Sequence, residues 1–142
     1  MLYSKTAKYA VLALAEVAAG QTDGLVSTRQ IAKATSSPYP LLAKIVNQLH
    51  RSGFIKATRG KRGGIKLARP ASEITIKDVV VALDGAAILN DCPLFLAPCD
   101  CSEPCTLHAI WKPARDAVLN FLENTTIQAV ADARAESSAP TA

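Results

Sequence analysis

The sequence predicts a mainly α protein with a small β-hairpin, in which a winged helix-turn-helix domain precedes a long C-terminal helix. Two helical patterns joined by the polar turn 35–37 are followed by a strand-loop-strand pattern, whose loop 59–64 combines three basic residues with three glycines. A helical apolar period then returns from about Thr106. Two short helices around a polar turn form a helix-turn-helix, and a basic hairpin behind them completes a winged helix.

The first helix is predicted over 4–19, with Ser4 or Thr6 as its cap and Gly20 as its stop. Ser27 and Gln30 have the spacing of a capping box, so a second, short helix should run to about Ala34. The core face of the first helix is expected to hold Val11, Leu12, Leu14, Ala15 and Ala18.

The third helix is predicted to open at Ser37 and Pro38, because serine caps free amides and proline is tolerated in a first helical turn. Gly53 should end it. Its core stripe follows the i, i+3, i+4, i+7 period and consists of Leu42, Ile45, Val46 and Leu49. The outward face is then formed by Ser36, Tyr39, Pro40, Ala43, Lys44 and Asn47.

The hairpin pattern places strands at 54–58 and 65–69 around the loop 59–64. Glycines let this backbone approach a phosphate ribbon closely, while an arginine can reach into a minor groove. A nucleotide-binding phosphate loop is excluded, because Lys61 is followed by Arg62 and not by Ser or Thr.

Charge is divided unevenly along the chain, although the formal net charge is only +4. Residues 1–72 hold 12 Lys and Arg against 2 Asp and Glu, whereas 73–142 hold 4 against 10. The first half therefore binds polyanions, and the helix-turn-helix arrangement of its basic residues favours double-stranded DNA over RNA or an anionic membrane. The apolar run 9–19 contains Glu16 and is too short for a membrane span, which with the absence of a signal pattern predicts a cytoplasmic protein.

Candidate DNA-binding residues are those that the predicted helices and hairpin turn outward. They are Lys5, Lys8, Ser27, Thr28, Ser36, Ser37, Tyr39, Pro40, Lys44, Arg59, Lys61, Arg62 and Lys66.

A second capping signal at Thr75 and Asp78 starts a connecting helix that Gly85 should end, with Val79, Val80 and Leu83 buried. The later long helix contains Pro113, which should kink it or mark the start of a second helical segment. Its apolar face is wide enough for an intrachain and an intersubunit partner, and it carries Ile110, Trp111, Ala114, Ala117, Val118, Phe121 and Leu122.

All four cysteines and one histidine fall in the window 92–108, which three prolines interrupt. A chain of 142 residues needs no disulfides for a core, so these thiols are interpreted as ligands or redox groups. Cys105 and His108 have the i, i+3 spacing that turns two side chains to one helix face. Three uses stay open here: an iron-sulfur cluster, a structural zinc, and a metal-free thiol switch.

An enzyme is not expected. A small thiol oxidoreductase built on Cys99, Asp100 and Cys101 would lack a recognisable nucleophile, base and orienting group, and it would leave the basic first half unexplained.

These segments together resemble the Rrf2 family of winged-helix transcription regulators, and within it the iron-sulfur cluster assembly regulator (IscR) branch. The resemblance is carried by SKTAKYAVLALAEVA, RGKRGGIKLARP, EITIKDVVVALDG, the cysteine window and LHAIWKPARDAVLNFLENTTI. It implies a homodimeric repressor that sets its third helix in the major groove and its wing in the minor groove of a pseudo-palindromic promoter site. It also implies control of DNA affinity by a cluster that senses iron-sulfur, redox or nitric oxide status.

The resemblance places a [2Fe-2S] cluster on Cys92, Cys99, Cys105 and His108, with zinc as the alternative metal. Cys101 is extra and could substitute for a neighbouring ligand, and the Cys-x6-Cys spacing is one residue longer than that branch implies. The predicted regions are then 1–72 for DNA binding, 73–91 for the connecting helix, 92–108 for the sensor loop, 109–133 for the dimerisation helix and 134–142 for a disordered tail.

Overall fold

A computed structural model describes residues 3–20, 24–92 and 105–138, and it confirms the predicted fold class. The helices are α1 (Lys5–Gly20), α2 (Thr28–Thr35), α3 (Tyr39–Arg51), α4 (Ile76–Asp84), α5 (His108–Asn124) and α6 (Ile127–Ser138). The strands are β1 (Ile55–Thr58) and β2 (Gly64–Leu67), and short 3-10 helices cover Ala71–Glu73 and Ala86–Asn90.

Helix α1 lies at the centre of the core, where α2, α3, α4 and α6 all pack against it. Its buried side chains are Ala7, Ala10, Val11, Ala13, Leu14, Ala15 and Val17. Leu12 and Ala18, which were expected in the core, are only partly buried. The reason is that several neighbours cover the alanine-rich sides of the helix, so burial does not follow a single stripe.

Strands β1 and β2 form an antiparallel hairpin in which Ile55 is paired with Leu67 and Thr58 with Gly64. Ile65 is also bridged to Val26 in the segment before α2, with N···O distances of 3.0 and 2.8 Å. The wing is therefore fastened to the helix-turn-helix by main-chain hydrogen bonds and does not project as an isolated ribbon.

The long helix expected over 109–133 is divided in two after Asn124. Ile76 N donates to Thr125 O (2.9 Å) and Ile127 N donates to Ile74 O (2.8 Å), so the break is paired with the segment that leads into α4. Pro113 lies inside α5 without ending it. Residues 134–138, which were expected to begin a disordered tail, lie in α6, and Arg134 among them pairs with Glu16 of α1 (3.7 Å).

Helix α6 brings the end of the described chain back to the N-terminal helices. Ile127 and Ala131 belong to the same buried cluster as Leu14 and Leu42, so the DNA-binding region and the C-terminal helices share one hydrophobic core. None of the helices in the described ranges is long and apolar enough to cross a membrane.

Candidate nucleic-acid interface and cysteine window

The turn between α2 and α3 is fixed by hydrogen bonds. Ser36 has φ 51°, in the left-handed region, and the amide of Ser37 donates to Ala32 O (3.1 Å). The Thr35 hydroxyl donates to Ile31 O (2.7 Å) and lies 2.7 Å from the Ser37 hydroxyl. These bonds set the angle at which α3 leaves the turn.

Ser37 has a different role from the one predicted. Pro38 is the N-cap of α3, and no side chain caps that helix. Ser37 is only 8% exposed and its hydroxyl is bonded within the turn, so it is available neither to the helix amides nor to DNA. The sequence pattern could not distinguish a capping serine from one that stabilises the preceding turn.

Helix α3 buries the predicted stripe and exposes the predicted outward face. Leu42, Ile45, Val46 and Leu49 are all buried. Tyr39 is 49% exposed, and Ser36, Pro40, Lys44 and Asn47 are exposed as well, while Ala43 is half-buried. The face that a recognition helix would turn to DNA is thus uncovered along its full length.

Arg29 is a surface residue that sequence reasoning missed. It is exposed on the first turn of α2, and its guanidinium carbon lies 6.0 Å from the centroid of the Tyr39 ring. The signal that could have found it is the lack of any Asp or Glu between Gly24 and Ser72, which leaves its guanidinium without a nearby carboxylate in that part of the chain.

The tip of the wing exposes Arg59, Lys61 and Arg62, and Lys66 is exposed on β2. The turn is tight: a Cβ added at Gly63 would lie 2.1 Å from Thr58 O, so this position requires glycine. The cationic side chains are consequently carried on a loop whose backbone folds closely back on itself at Gly63.

The remaining DNA-binding candidates differ in how exposed they are and in what they contact. Lys5 and Lys8 are exposed on α1, and the Lys5 ammonium lies 6.0 Å from the centroid of the Tyr9 ring. The Ser27 hydroxyl accepts a hydrogen bond from Gln30 N (3.2 Å) and caps α2 as predicted. Thr28 follows it and is half-buried.

Three of the five expected metal ligands lie at the ends of the cysteine window. Cys92 is half-buried shortly after the 3-10 helix Ala86–Asn90, and Cys105 is exposed. His108 N donates to Cys105 O (3.0 Å), so the two residues close a turn and α5 begins at His108. Cys105 therefore precedes the helix instead of lying in its first turn. The other two candidates, Cys99 and Cys101, fall outside the described residues.

The donor types fit a soft-metal or iron-sulfur group, since thiolates and imidazole are its usual protein ligands. Within the three described ranges, no group of three His, Cys, Asp or Glu side chains is placed to hold a metal ion. Further along α5, a hydrogen bond from Lys112 and the charges of Lys112, Arg115 and His108 hold the pKa of Asp116 below its ordinary value. This part of the helix therefore keeps an ionised carboxylate two turns beyond His108.

The apolar residues of α5 divide between two faces. Ile110 is 76% exposed and Phe121 is 53% exposed, and Ala114 and Ala117 lie exposed between them. Trp111 and Val118 are half-buried, whereas Leu122 is 1% exposed and belongs to the core of its own chain. Leu122 was predicted at the dimer interface, but its side chain is buried within its own chain and has almost no surface left for a partner.

Comparison with known proteins agrees with this architecture. Residues 3–133 match the family model Rrf2, described as Iron-dependent Transcriptional regulator. A protein of Aquifex aeolicus assigned as an HTH-type transcriptional regulator is 36% identical over 132 residues, which cover 90% of each chain. The regulator IscR of Escherichia coli O1:K1 is 28% identical over 127 residues, covering 89% of this chain and 78% of its own.

Two solved structures are similar over nearly the whole length. CymR, the global cysteine regulator of B. subtilis, has a TM-score of 0.76 and 26% identity, covering 91% of this chain and 95% of its own. IscR of T. potens has a TM-score of 0.75 and 22% identity, covering 98% and 92%, and at that identity the likeness concerns the fold alone.

Proposed function

Because the chain belongs to the Rrf2 family of DNA-binding transcription regulators, we propose that it is a homodimeric, cytoplasmic repressor whose affinity for promoter DNA is set by an iron-sulfur cluster. Its relatives are regulators and not enzymes. The observation that carries the DNA-binding part is a surface without carboxylates: residues 24–72 contain no Asp or Glu, while α3 and the wing expose Lys44, Arg59, Lys61 and Arg62.

DNA binding would use two elements that the hydrogen-bonded turn and the Val26–Ile65 bridge hold in fixed relation. Helix α3 presents Tyr39, Pro40 and Lys44 to the major groove, where base edges are read. The wing brings its cationic tip to the phosphates and the minor groove beside it. In this arrangement the phosphate contacts orient the protein and α3 supplies the selectivity.

Homodimerisation would cover the exposed stripe of α5. Ile110, Ala114, Ala117 and Phe121 recur at helical spacing and are uncovered in the single chain. Pairing two such stripes around a two-fold axis buries apolar surface on both copies and gives two α3 helices related by symmetry. A pseudo-palindromic promoter site is the DNA counterpart of that symmetry.

The cluster would be held by Cys92, Cys99, Cys105 and His108, with Cys101 as the substitute ligand. Support comes from the donor set and from the described ends of the window: Cys92 follows the α4 region, and Cys105 and His108 share the turn that opens α5. When bound, a [2Fe-2S] cluster supplies a redox-active centre whose potential depends on its ligands and their hydrogen bonds. Since the window joins α4 to α5, its ligand residues lie between the DNA-binding core and the proposed dimer helix.

A second candidate is a regulator in which the same window holds zinc or acts as a metal-free thiol switch. The observation in its favour is the likeness to the oxidised form of Staphylococcus aureus CymR, with a TM-score of 0.71 and 29% identity. Thiols next to a turn and exposed to solvent, such as that of Cys105, are the kind that undergo exchange.

The decisive experiment is to purify the protein without oxygen and measure its iron, sulfide and zinc together with its visible absorption. The proposal expects iron and sulfide with charge-transfer absorption, and an affinity for selected promoter DNA that changes when the cluster is removed. Stoichiometric zinc without sulfide would establish the zinc alternative. Protein free of metal whose DNA affinity responds to oxidants would establish the thiol switch.

A further inference from the structure

Arg29 and Tyr39 form a cation–π contact across the turn of the helix-turn-helix. Arg29 lies on α2 and Tyr39 is the first residue of α3, and the guanidinium carbon is 6.0 Å from the ring centroid. Both side chains are exposed. A role for this pair in recognising DNA rests on the proposed DNA-binding function.

Both partners are held by their local backbone. The reciprocal capping box of Ser27 and Gln30 fixes the first turn of α2, which carries Arg29. Pro38 and Pro40 flank Tyr39 and restrict the backbone at the start of α3. The contact therefore joins the starts of two helices whose backbones are restrained locally.

Among the residues that the structure describes, no acidic side chain pairs with Arg29. No Asp or Glu occurs between Gly24 and Ser72, and Arg29 takes part in none of the ion pairs found within the described residues. Its guanidinium carbon lies over the Tyr39 ring at 6.0 Å from the centroid, at the outer limit of a cation–π contact. A guanidinium held in this way still presents its N–H edge to a partner in solution.

The pair lies at the start of α3, which favours a contact between Arg29 and a base. In helix-turn-helix complexes the first residues of the recognition helix meet base edges, and Tyr39 is the first residue of α3. A flat guanidinium edge matches the O6 and N7 acceptors of guanine, which is the commonest specific contact in the major groove. We propose that Arg29, oriented by the Tyr39 ring, reads a guanine in each half-site and is a specificity-determining residue.

The test begins with DNA sites that the wild-type protein selects from randomised double-stranded DNA. Dissociation constants are then measured at one salt concentration on the selected site and on each single-base variant, for wild type, Arg29→Lys, Tyr39→Leu and Tyr39→Phe. Arg29→Lys keeps the charge but loses the two-pronged donor edge, so discrimination at one G·C pair per half-site should fall by about 5- to 100-fold. Tyr39→Leu should weaken discrimination at the same pair, and Tyr39→Phe should preserve it.

Lys33→Ala is the matched control, because Lys33 is exposed on the same helix and makes no ring contact in the described structure. It should leave the base preference unchanged at every position. Selected sites without a common guanine, or an Arg29→Lys variant with an unaltered base profile, would overturn the inference while leaving DNA binding intact. A wild-type protein that selects no sequence at all would overturn the proposed function as well.

Discussion

Asp84 anchors Ser4, the residue that caps the first helix, from 80 residues away. Its carboxylate accepts hydrogen bonds from Ser4 N (2.7 Å) and from the Ser4 hydroxyl, and that hydroxyl in turn accepts from Ala7 N (3.0 Å). Asp84 is the last residue of α4, shortly before the 3-10 helix that leads to Cys92. The start of α1 and the approach to the cysteine window are thus joined by one carboxylate.

Asp84→Ala should lower the free energy of unfolding by about 1 kcal/mol, because the amide and hydroxyl of Ser4 lose their common acceptor. Urea unfolding followed by circular dichroism measures the change. Asp91→Ala is the control, since Asp91 is exposed and uses only its main-chain amide in the described hydrogen bonds; it should change stability by less than about 0.5 kcal/mol. Equal effects of the two substitutions would show that the hydrogen bonds from Ser4 to Asp84 do not stabilise the fold.

Ser36→Gly should raise the free energy of unfolding by about 1 kcal/mol, because φ 51° strains any residue with a Cβ and glycine adopts it freely. Thermal unfolding of both proteins at the same pH checks this. Ser52→Gly is the control with the opposite expected sign. Ser52 follows α3 at φ −81°, which is unstrained for serine. Glycine there only increases the entropy of the unfolded chain, so it should lower the free energy of unfolding. A destabilised Ser36→Gly variant would contradict the assigned backbone strain.

Single replacement of Lys61 or Lys66 by alanine should reduce the salt dependence of DNA binding. Each removed phosphate contact should make the slope of log K against log salt shallower by about 0.9. Fluorescence anisotropy at several salt concentrations gives that slope. Lys77→Ala serves for comparison, because Lys77 pairs with Glu123 at 2.5 Å in the acidic half of the chain and its loss should leave the slope unchanged. Unchanged slopes for both wing variants would remove these lysines from the DNA contact surface.

His108→Ala should alter the visible absorption of the anaerobically purified protein and lower its iron content, because one of four proposed ligands is lost. Iron and sulfide assays accompany the spectrum. His50→Ala is the histidine control: the His50 Nδ1 lies 3.2 Å from Ile55 O and is not among the proposed ligands, so its removal should leave the spectrum unchanged. A His108→Ala protein with the wild-type spectrum would show that another residue supplies the fourth cluster ligand. Cys101→Ser would then be expected to change the spectrum.

Ile110→Glu should convert the proposed dimer into a monomer and weaken binding to a DNA with two half-sites. Since Ile110 is 76% exposed, the stability of the single chain should change by no more than about 0.5 kcal/mol. Sedimentation velocity reports the oligomeric state. Ala135→Glu places the same charge at an exposed position of α6 and should remain dimeric. Two variants with the same sedimentation behaviour would exclude the α5 stripe as the interface.

Local features of this fold were predictable because their causes lie within one helical turn. The capping boxes of Ser27 with Gln30 and of Thr75 with Asp78 are both present, and α3 buries the predicted stripe. Each of these depends on residues three or four positions apart, where the period of the helix fixes which groups meet. The basic wing was predictable for a similar reason, because its glycine-rich basic loop and its two strands are adjacent in the sequence.

Features decided by distant residues were not predictable. The helical pattern after Asn124 gives no strong stop, and the break arises because Thr125 and Ile127 exchange main-chain hydrogen bonds with Ile76 and Ile74. Leu122 looks like part of a dimer face until the fold covers it. The contact between Arg29 and Tyr39 likewise depends on the left-handed turn at Ser36. For the cysteine window the ligand set stays a prediction, because Cys99 and Cys101 lie outside the described residues.

The position of α6 determines when the core of a newly made chain can be completed. Ile127 and Ala131 complete the core around α1, and Arg134 donates to Ala34 O across 100 residues (3.2 Å). Contacts between such distant residues cannot form until the intervening chain has been made. A ribosome that has translated the wing has therefore already produced every basic group on the DNA-binding side, but the core beneath them is still open. The core that supports these basic groups is therefore complete only once residue 131 has been added to the chain.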